Sequence, residues 1–419
     1  MSNLPTRVFQ RLADFLALRS GTVGVLGMVV LIGMGERMAE RFLPIYILAL
    51  GGSALAVGLL QAMDNLLSAL YSFPGGYLSD RIGAKRSLLI FNLVAMAGFT
   101  VVILSPTWQA VLVGAVLFIS WSAISMPATM SLIYTVLPGN KRTMGVTMHS
   151  LVRRIPMALG PILGGIFIAV WGETDGVRLA FVAALVLAAI ALVLQQRMIP
   201  DQRAERNVPH ETSNVSKTIA EKNPLKLYRR MPGDMRVLLL SDILIRFCEQ
   251  IPYAFVVVWC MQVIREPVTA VQFGLLTSIE MATAVLVYIP VAYMADRTVK
   301  KPFVTVTFVF FTLFPLALMH SQSFLWLIGA FVLRGLKEFG EPTRKSLIMD
   351  LAPEDCRAGM FGLYYLIRDV FVSAAALGGA YLWMISPQVN LWTAFGFGVA
   401  GTIGFGLFGR DATRKPLAQ

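Results

Sequence analysis

The chain has 419 residues, of which 56% are hydrophobic and 14% charged, with a mean hydropathy of +0.69. A soluble domain carries about 25% charged residues, so a soluble enzyme, a nucleic-acid module and a disordered chain are all poor fits. Cys248, Cys260 and Cys356 stand at no metal-ligand spacing. Only three histidines accompany them. A disulfide framework and a His/Cys metal centre are therefore not expected, nor is any cofactor. The net charge of +12 could suit nucleic acid, and the placement of the basic residues decides otherwise.

Residues 1–20 form an N-terminal segment in which Val8, Phe9, Leu12, Phe15 and Leu16 alternate with Arg7, Arg11, Asp14 and Arg19. This suits either a short interfacial helix or an ordinary tail. Twelve apolar stretches follow, at roughly 22–49, 54–78, 87–105, 108–136, 144–171, 178–196, 236–263, 268–294, 302–319, 324–351, 358–385 and 390–409. Each approaches or exceeds the span of about 20 residues that crosses a bilayer. The polar loop 198–235 divides them six and six, into 21–197 and 236–409, and a tail covers 410–419. The sequence thus predicts an all-α integral membrane protein with twelve transmembrane helices as two pseudo-symmetric six-helix bundles around a central cavity.

Alternate connections hold Arg81, Lys85, Arg86, Lys141, Arg142, Arg297, Lys300, Lys301 and Arg357, and residues 197–236 add nine more basic residues. The opposite side holds only Arg178 and Arg265. Positive charge stays cytoplasmic, so both termini are expected inside, at the plasma (inner) membrane. Nucleic acid is not needed to explain the charge, and the expected partners are the lipid bilayer, a small-molecule solute and protons. A monomer is expected.

The two halves repeat. A shift of 216 sets Gly58-Leu59-Leu60 on Gly274-Leu275-Leu276, Asp64 on Glu280, Pro74 on Pro290, Tyr77 on Tyr293 and Asp80-Arg81 on Asp296-Arg297. A shift of 214 pairs Arg154 with Arg368 and Leu163-Gly164-Gly165 with Leu377-Gly378-Gly379, and a shift of 209 pairs Arg37-x-x-Glu40 with Arg246-x-x-Glu249. Two parallel repeats of six helices are an architecture of secondary transporters.

Between the second and third stretches stands Gly76-Tyr77-Leu78-Ser79-Asp80-Arg81-Ile82-Gly83-Ala84-Lys85-Arg86. This run resembles the signature cytoplasmic loop of the major facilitator superfamily. The second copy is degraded, with Ala292 and Val299 in place of the two glycines. Gly160-Pro161-x-x-Gly164-Gly165 resembles a further motif of that family, common among exporters. The resemblance implies a gate at the cytoplasmic side built from Gly76, Asp80, Arg81, Gly83, Lys85, Arg86, Asp296 and Arg297, and Arg154 and Arg368 fall nearer that side by depth. It also implies that stretches 3, 6, 9 and 12 face lipid while 1, 4, 7 and 10 line the cavity.

A charge at the bilayer centre costs about 2.5–3.5 kcal/mol on insertion scales, so each needs a reason. The cores of stretches 3, 6, 9 and 12 carry none, whereas the others hold Glu36, Arg37, Glu40, Arg41, Asp64, Asp242, Arg246, Glu249, Glu280, Arg334, Lys337, Glu338, Glu341 and Arg344. Asp64 lies 16 residues from Asp80, as Glu280 does from Asp296, a rise of about 24 Å. A polar cavity is expected from Glu36, Arg37, Glu40, Arg41, Asp64, Arg246, Glu249, Glu280, Arg334, Lys337 and Glu338. Pairs at i,i+3 and i,i+4, such as Arg246–Glu249, Lys337–Glu341 and Glu341–Lys345, are an alternative use of these charges. Asp64 and Glu280 have no basic neighbour on their own helix and are the first candidates for proton exchange, with one of Glu36, Glu40 or Glu249 as a third. Arg37, Arg41, Arg246, Arg334 and Lys337 suit an anionic or zwitterionic solute, with Tyr46, Trp121, Tyr253 and Trp259 as an apolar wall or as ordinary packing. The run Phe118–Ile124 lacks the Arg that many proton-coupled members carry in the fourth helix. Pro44, Pro127, Pro252 and Pro342 are positioned to bend cavity helices.

No phosphate-binding loop and no nucleophile–base pair are found, so neither ATP drive nor an enzyme is expected. The expected function is secondary transport by alternating access, with proton-coupled export of an amphipathic organic compound as the first reading. Uptake or facilitated release of a polar metabolite or an iron-related solute is the alternative, and a non-transporting receptor or assembly subunit the rival from another class.

Overall fold

The structure is a computed structural model and describes residues 20–118, 121, 129, 152–198, 224–295, 299–353 and 357–411. The N-terminal stretch Thr6–Arg19, Pro127, Asp296, Arg297 and most of the central loop lie outside the described residues, as does the Phe118–Ile124 run apart from Phe118 and Trp121.

A backbone in hydrocarbon has no water to bond, so helices that satisfy their own N–H and C=O groups are the natural solution. The described helices are α1 (Ser20–Glu40), α2 (Leu43–Ala49), α3 (Ala54–Ile82), α4 (Ala84–Leu104), α5 (Trp108–Phe118), α6 (Arg154–Met198), α7 (Pro224–Arg229), α8 (Gly233–Tyr253), α9 (Val256–Val258), α10 (Ala270–Ala295), α11 (Lys301–His320), α12 (Phe324–Leu336), α13 (Glu341–Leu351), α14 (Arg357–Ile385) and α15 (Pro387–Phe408). A π-helical turn, Trp259–Val263, continues α9. No strand occurs among the described residues. Gly172, at φ 81°, breaks α6 into two arms.

Among the described residues, six helices are long and apolar enough to cross a membrane, and the bent pair Gly233–Tyr253 and Val256–Val263 makes a seventh. Their outer faces carry large apolar side chains such as Leu286, Leu407 and Phe408, each about two-thirds exposed or more. Faces of this kind suit lipid contact, because in water they would aggregate.

The bends sit where the prolines predict them. Pro44 opens α2 just after α1 ends, Pro252 stands in the last turn of α8 before a 45° bend, and Pro342 opens α13 after α12 stops at Leu336. The α8 bend has a cost: the amide of Phe255 turns to Pro252 O and leaves the Ile251 carbonyl without its helical partner. Buried Asn390 on α15 repairs this, donating through Nδ2 to Ile251 O at 3.1 Å and to Gly379 O at 2.7 Å.

The chain forms two compact units. The first comprises Met1–Ala56, Leu66–His210 and Thr269–Ser278, and the second Val57–Asn65, Glu211–Val268 and Ile279–Gln419. In the first, α1 lies against both arms of α6, Gly33 meeting Pro156 and Gly35 meeting Ala184. Gly164 is the tightest crossing, since any side chain there would overlap the Met38 carbonyl oxygen. Small residues of this kind let membrane helices approach closely. Asn92 closes the unit with a hydrogen bond from Nδ2 to Ala188 O at 3.1 Å.

In the second unit, Leu238 and Ile245 of α8, Phe308 and Phe311 of α11, Leu347 of α13, Tyr364 of α14 and Phe405 of α15 form one apolar cluster. Three of its helices, α8, α13 and α14, also carry charged residues described next.

Replacing Asn390 with Leu removes the only repair of the α8 bend described above. The variant is expected to lose about 1–3 kcal/mol of stability, read as a lower melting temperature of the purified protein in detergent, and unchanged melting contradicts the role.

Candidate functional site

α8 presents Asp242, Arg246 and Glu249 along one face, spaced by four and three residues. α12 delivers Arg334 in its last turn, and the turn after it carries Lys337 and Glu338. α13 restarts at Glu341 and presents Arg344 one turn later. α10 supplies Glu280, and α14 supplies Tyr364, Arg368 and Asp369.

These side chains form one connected network inside the second unit. Arg246 reaches Glu249 at 2.7 Å, Glu341 at 3.2 Å and Asp242 at 3.9 Å. Lys337 Nζ joins Glu249 at 2.8 Å and Glu280 at 3.5 Å. Arg334 Nε lies 3.4 Å from Glu280. Arg344 binds Glu341 through Nη2 at 2.7 Å, and its Nη1 donates to Asp242. Tyr364 donates its hydroxyl to Asp242 Oδ2 at 3.0 Å, and Arg368 lies 3.7 Å from the same oxygen while holding Asp369 at 2.7 Å. Asp242, Glu280, Arg334 and Arg344 are almost wholly buried. In these ion pairs five carboxylates, Asp242, Glu249, Glu280, Glu341 and Asp369, face five bases; Lys345, half exposed, adds an outer contact to Glu341 at 3.5 Å. Such a cluster is tolerable only while its partners stay together, because a lone buried charge is strongly unfavourable.

One side of the network borders a small recess. Glu249, Arg334 and Lys337 form its polar wall, and Tyr253, Val256, Phe311 and Phe314 its apolar wall. The Arg334 guanidinium carbon stands 5.1 Å from the Phe314 ring and 5.5 Å from that of Tyr253. Of the four aromatics named from the sequence, Tyr253 alone lines this recess. Tyr46 and Trp259 are packed inside their units, Trp259 donating to Leu318 O at 3.1 Å, and Trp121 is buried as well.

Other expected site residues lie elsewhere. Arg37 pairs with Glu40 at 2.8 Å on α1, the same i,i+3 contact that Arg246 makes with Glu249 in the repeat. Glu36 is buried on α1, Arg41 stands in the turn before α2, and Arg154 opens α6. Asp64 accepts a hydrogen bond from Gln61 Nε2 at 3.3 Å, within α3. Gly76, Asp80 and Arg81 fall in the last turns of α3. Gly83, at φ 90°, adopts a backbone that favours glycine and starts α4 in a new direction. Lys85 Nζ then donates to Gln196 O at 3.0 Å, and Gln195 Nε2 returns a bond to Lys85 O at 2.7 Å, tying this turn to the end of α6. Arg86 is exposed.

Two expectations change in the structure. Glu280 lacks a basic neighbour on its own helix but acquires Arg334 and Lys337 from α12. The Lys337–Glu341 spacing presumed one continuous helix; α12 stops at Leu336, and Lys337 turns to Glu249 and Glu280 instead. The arrangement also draws in Asp242, Glu341, Arg344 and Tyr364. The first was signalled by its place four residues before Arg246, and Tyr364 by its place four before Arg368.

The sequence model described as Major Facilitator Superfamily matches residues 25–376. The chain belongs to that superfamily. An uncharacterized MFS-type transporter of Methanocaldococcus jannaschii is 22% identical over 373 residues, covering 85% of this chain and 87% of that protein. A multidrug efflux pump of Mycolicibacterium smegmatis is 27% identical over 201 residues, 42% of this chain and 38% of its own length. The tetracenomycin C resistance and export protein of Streptomyces glaucescens is 30% identical over 145 residues, 34% of this chain and 26% of its own. Among solved structures, a nucleoside transporter matches with a TM-score of 0.74 at 15% identity, covering 93% of this chain and 100% of that chain. A peptide transporter matches with a TM-score of 0.73 at 14% identity, covering 93% of both. The protein is a multi-pass membrane transporter and not an enzyme.

Removing one member of the network should cost more than removing a pair. Arg344→Leu is expected to lose about 3–5 kcal/mol, and Asp242→Leu combined with Arg344→Leu distinctly less, as seen in melting temperatures. A double variant no more stable than Arg344→Leu contradicts the pairing.

Proposed function

We propose that the protein is a secondary active transporter that moves a small solute by alternating access, and that it couples proton entry to export of an amphipathic organic compound. In this reading its twelve spans form two related bundles of six in the inner membrane, with both termini cytoplasmic, and it works as a monomer. The observation that carries the proposal is a buried, charge-balanced network bordering a recess with one polar and one aromatic wall. The aromatic wall suits the apolar part of a solute, and the polar wall its head. The export direction is supported by two relatives whose names describe efflux or export.

Glu280 is the preferred proton carrier in the second unit, because it shares Lys337 with Glu249. A proton on Glu280 would release Arg334 and Lys337 from one carboxylate, so protonation and rearrangement of the recess are linked. Asp64 is the corresponding candidate by the repeat. The remaining cavity residues, Glu36, Arg37, Glu40, Arg41, Arg246 and Glu338, are assigned supporting roles in solute binding or charge balance. Gly76, Asp80, Arg81, Gly83, Lys85, Arg86, Arg154, Asp296, Arg297 and Arg368 are assigned to the cytoplasmic gate.

The test is flux in proteoliposomes with a solute panel, with and without an imposed pH gradient. A gradient-dependent flux is expected for the native protein. Glu280→Gln and Asp64→Asn should each abolish driven flux and spare solute counterflow. Gradient-driven flux that survives in both variants removes these two residues as carriers, and no flux for any solute removes the transport reading.

A further inference from the structure

Arg334 is the member of the network whose bonding capacity is least used. A guanidinium offers five N–H donors in a fixed fork and holds its charge at any physiological pH. Its side chain is only 4% exposed. Among the described residues it meets one carboxylate, Glu280, through Nε at 3.4 Å, and makes no hydrogen bond. Its charge rests instead among the rings of Phe314, Tyr253 and Phe331, 5.1 to 5.6 Å from the guanidinium carbon. The other bases of the network are better served. Arg344 holds both oxygens of Glu341 and reaches Asp242, Arg246 holds Glu249 and Glu341, and Lys337 holds Glu249 at 2.8 Å. Arg334 also lines the recess, beside Tyr253, Phe314 and Val256.

A buried cation with spare donors at the edge of a cavity is where an arriving anion gains most, since its hydrogen bonds replace none already made. The planar fork matches a carboxylate, and the rings on either side suit an aromatic or short aliphatic body. A cationic solute has a poorer case, because Glu249 is already held by Arg246 and Lys337 and would have to give one of them up.

We infer that Arg334 is the head-group residue of the solute site and that the transported class is a small amphipathic monocarboxylate. The carboxylate sits on the Arg334 fork, and the apolar body lies against Tyr253, Phe314 and Val256. This rests on the transport reading above and adds the charge of the solute and the residue that reads it.

The experiment is counterflow in proteoliposomes of the full chain, which needs no driving gradient, using labelled benzoate, neutral benzamide and cationic benzylamine as probes. Benzoate is expected to exchange and the other two not to. Arg334→Gln should reduce benzoate exchange about tenfold or more, and Arg334→Lys, which keeps the charge but loses the fork, should retain an intermediate rate. Should Arg334→Gln fail to fold, the native protein's preference among the three probes and the Arg334→Lys rate still decide. Exchange of benzylamine or benzamide in preference to benzoate overturns the inference and leaves the transport reading standing, as does benzoate exchange unaltered in Arg334→Gln. No exchange of any of the three overturns the inference, and the solute-panel flux then decides the transport reading separately.

Discussion

An ionised side chain removed from water must keep an opposite charge at hand, and the second unit of this protein is organised around that requirement. Asp242, Glu249, Glu280 and Glu341 come from three helices, and the five bases that face them come from α8, α12, the turn after it, α13 and α14. Several partners are shared: Asp242 is approached by Arg246, Arg344 and Arg368, and Lys337 bridges two carboxylates. Sharing makes the contacts interdependent. A shift of α12 or α14 changes the balance at α8, and this is the property a moving transporter can use.

Helix interruption is what brings the charges together. A continuous helix from Phe324 to Leu351 would carry Arg334, Lys337, Glu341 and Arg344 around its surface at fixed angles. The stop at Leu336 and the restart at Glu341-Pro342 let Lys337 turn toward α8 and α10 while Arg344 reaches Asp242, which Tyr364 also bonds. The bend at Pro252 places Tyr253 and Val256 on either side of the break, and both line the recess. Non-helical backbone at membrane depth is tolerated where protein satisfies the groups it releases, and Asn390 does so for Ile251.

Much of this was legible in the sequence for identifiable reasons. Apolar length gave the helical stretches, and described helix occurs in each of the twelve. The Gly76–Arg86 run gave the superfamily, and Gly83 proves to hold the left-handed backbone that explains a glycine there. The i,i+3 pairs Arg37–Glu40 and Arg246–Glu249 were readable because helical spacing alone determines them. The contacts Glu280–Arg334 and Asp242–Arg344 were not, since the partners stand 54 and 102 residues further along the chain, and no local period encodes such a contact. Trp259 and Tyr253, six residues apart, looked equally suited to a solute wall. A π-helical turn and the bond to Leu318 bury one, and the Pro252 bend exposes the other to the recess.

If the recess beside Arg334 and Lys337 is the solute chamber of the transport cycle proposed above, it is reached in turn from each side of the membrane. Tyr253→Cys places a thiol on its wall, and a membrane-impermeant maleimide applied to right-side-out and to inverted vesicles reads its access directly. The account predicts labelling from both faces in separate experiments. Labelling from one face only, or from neither, contradicts it.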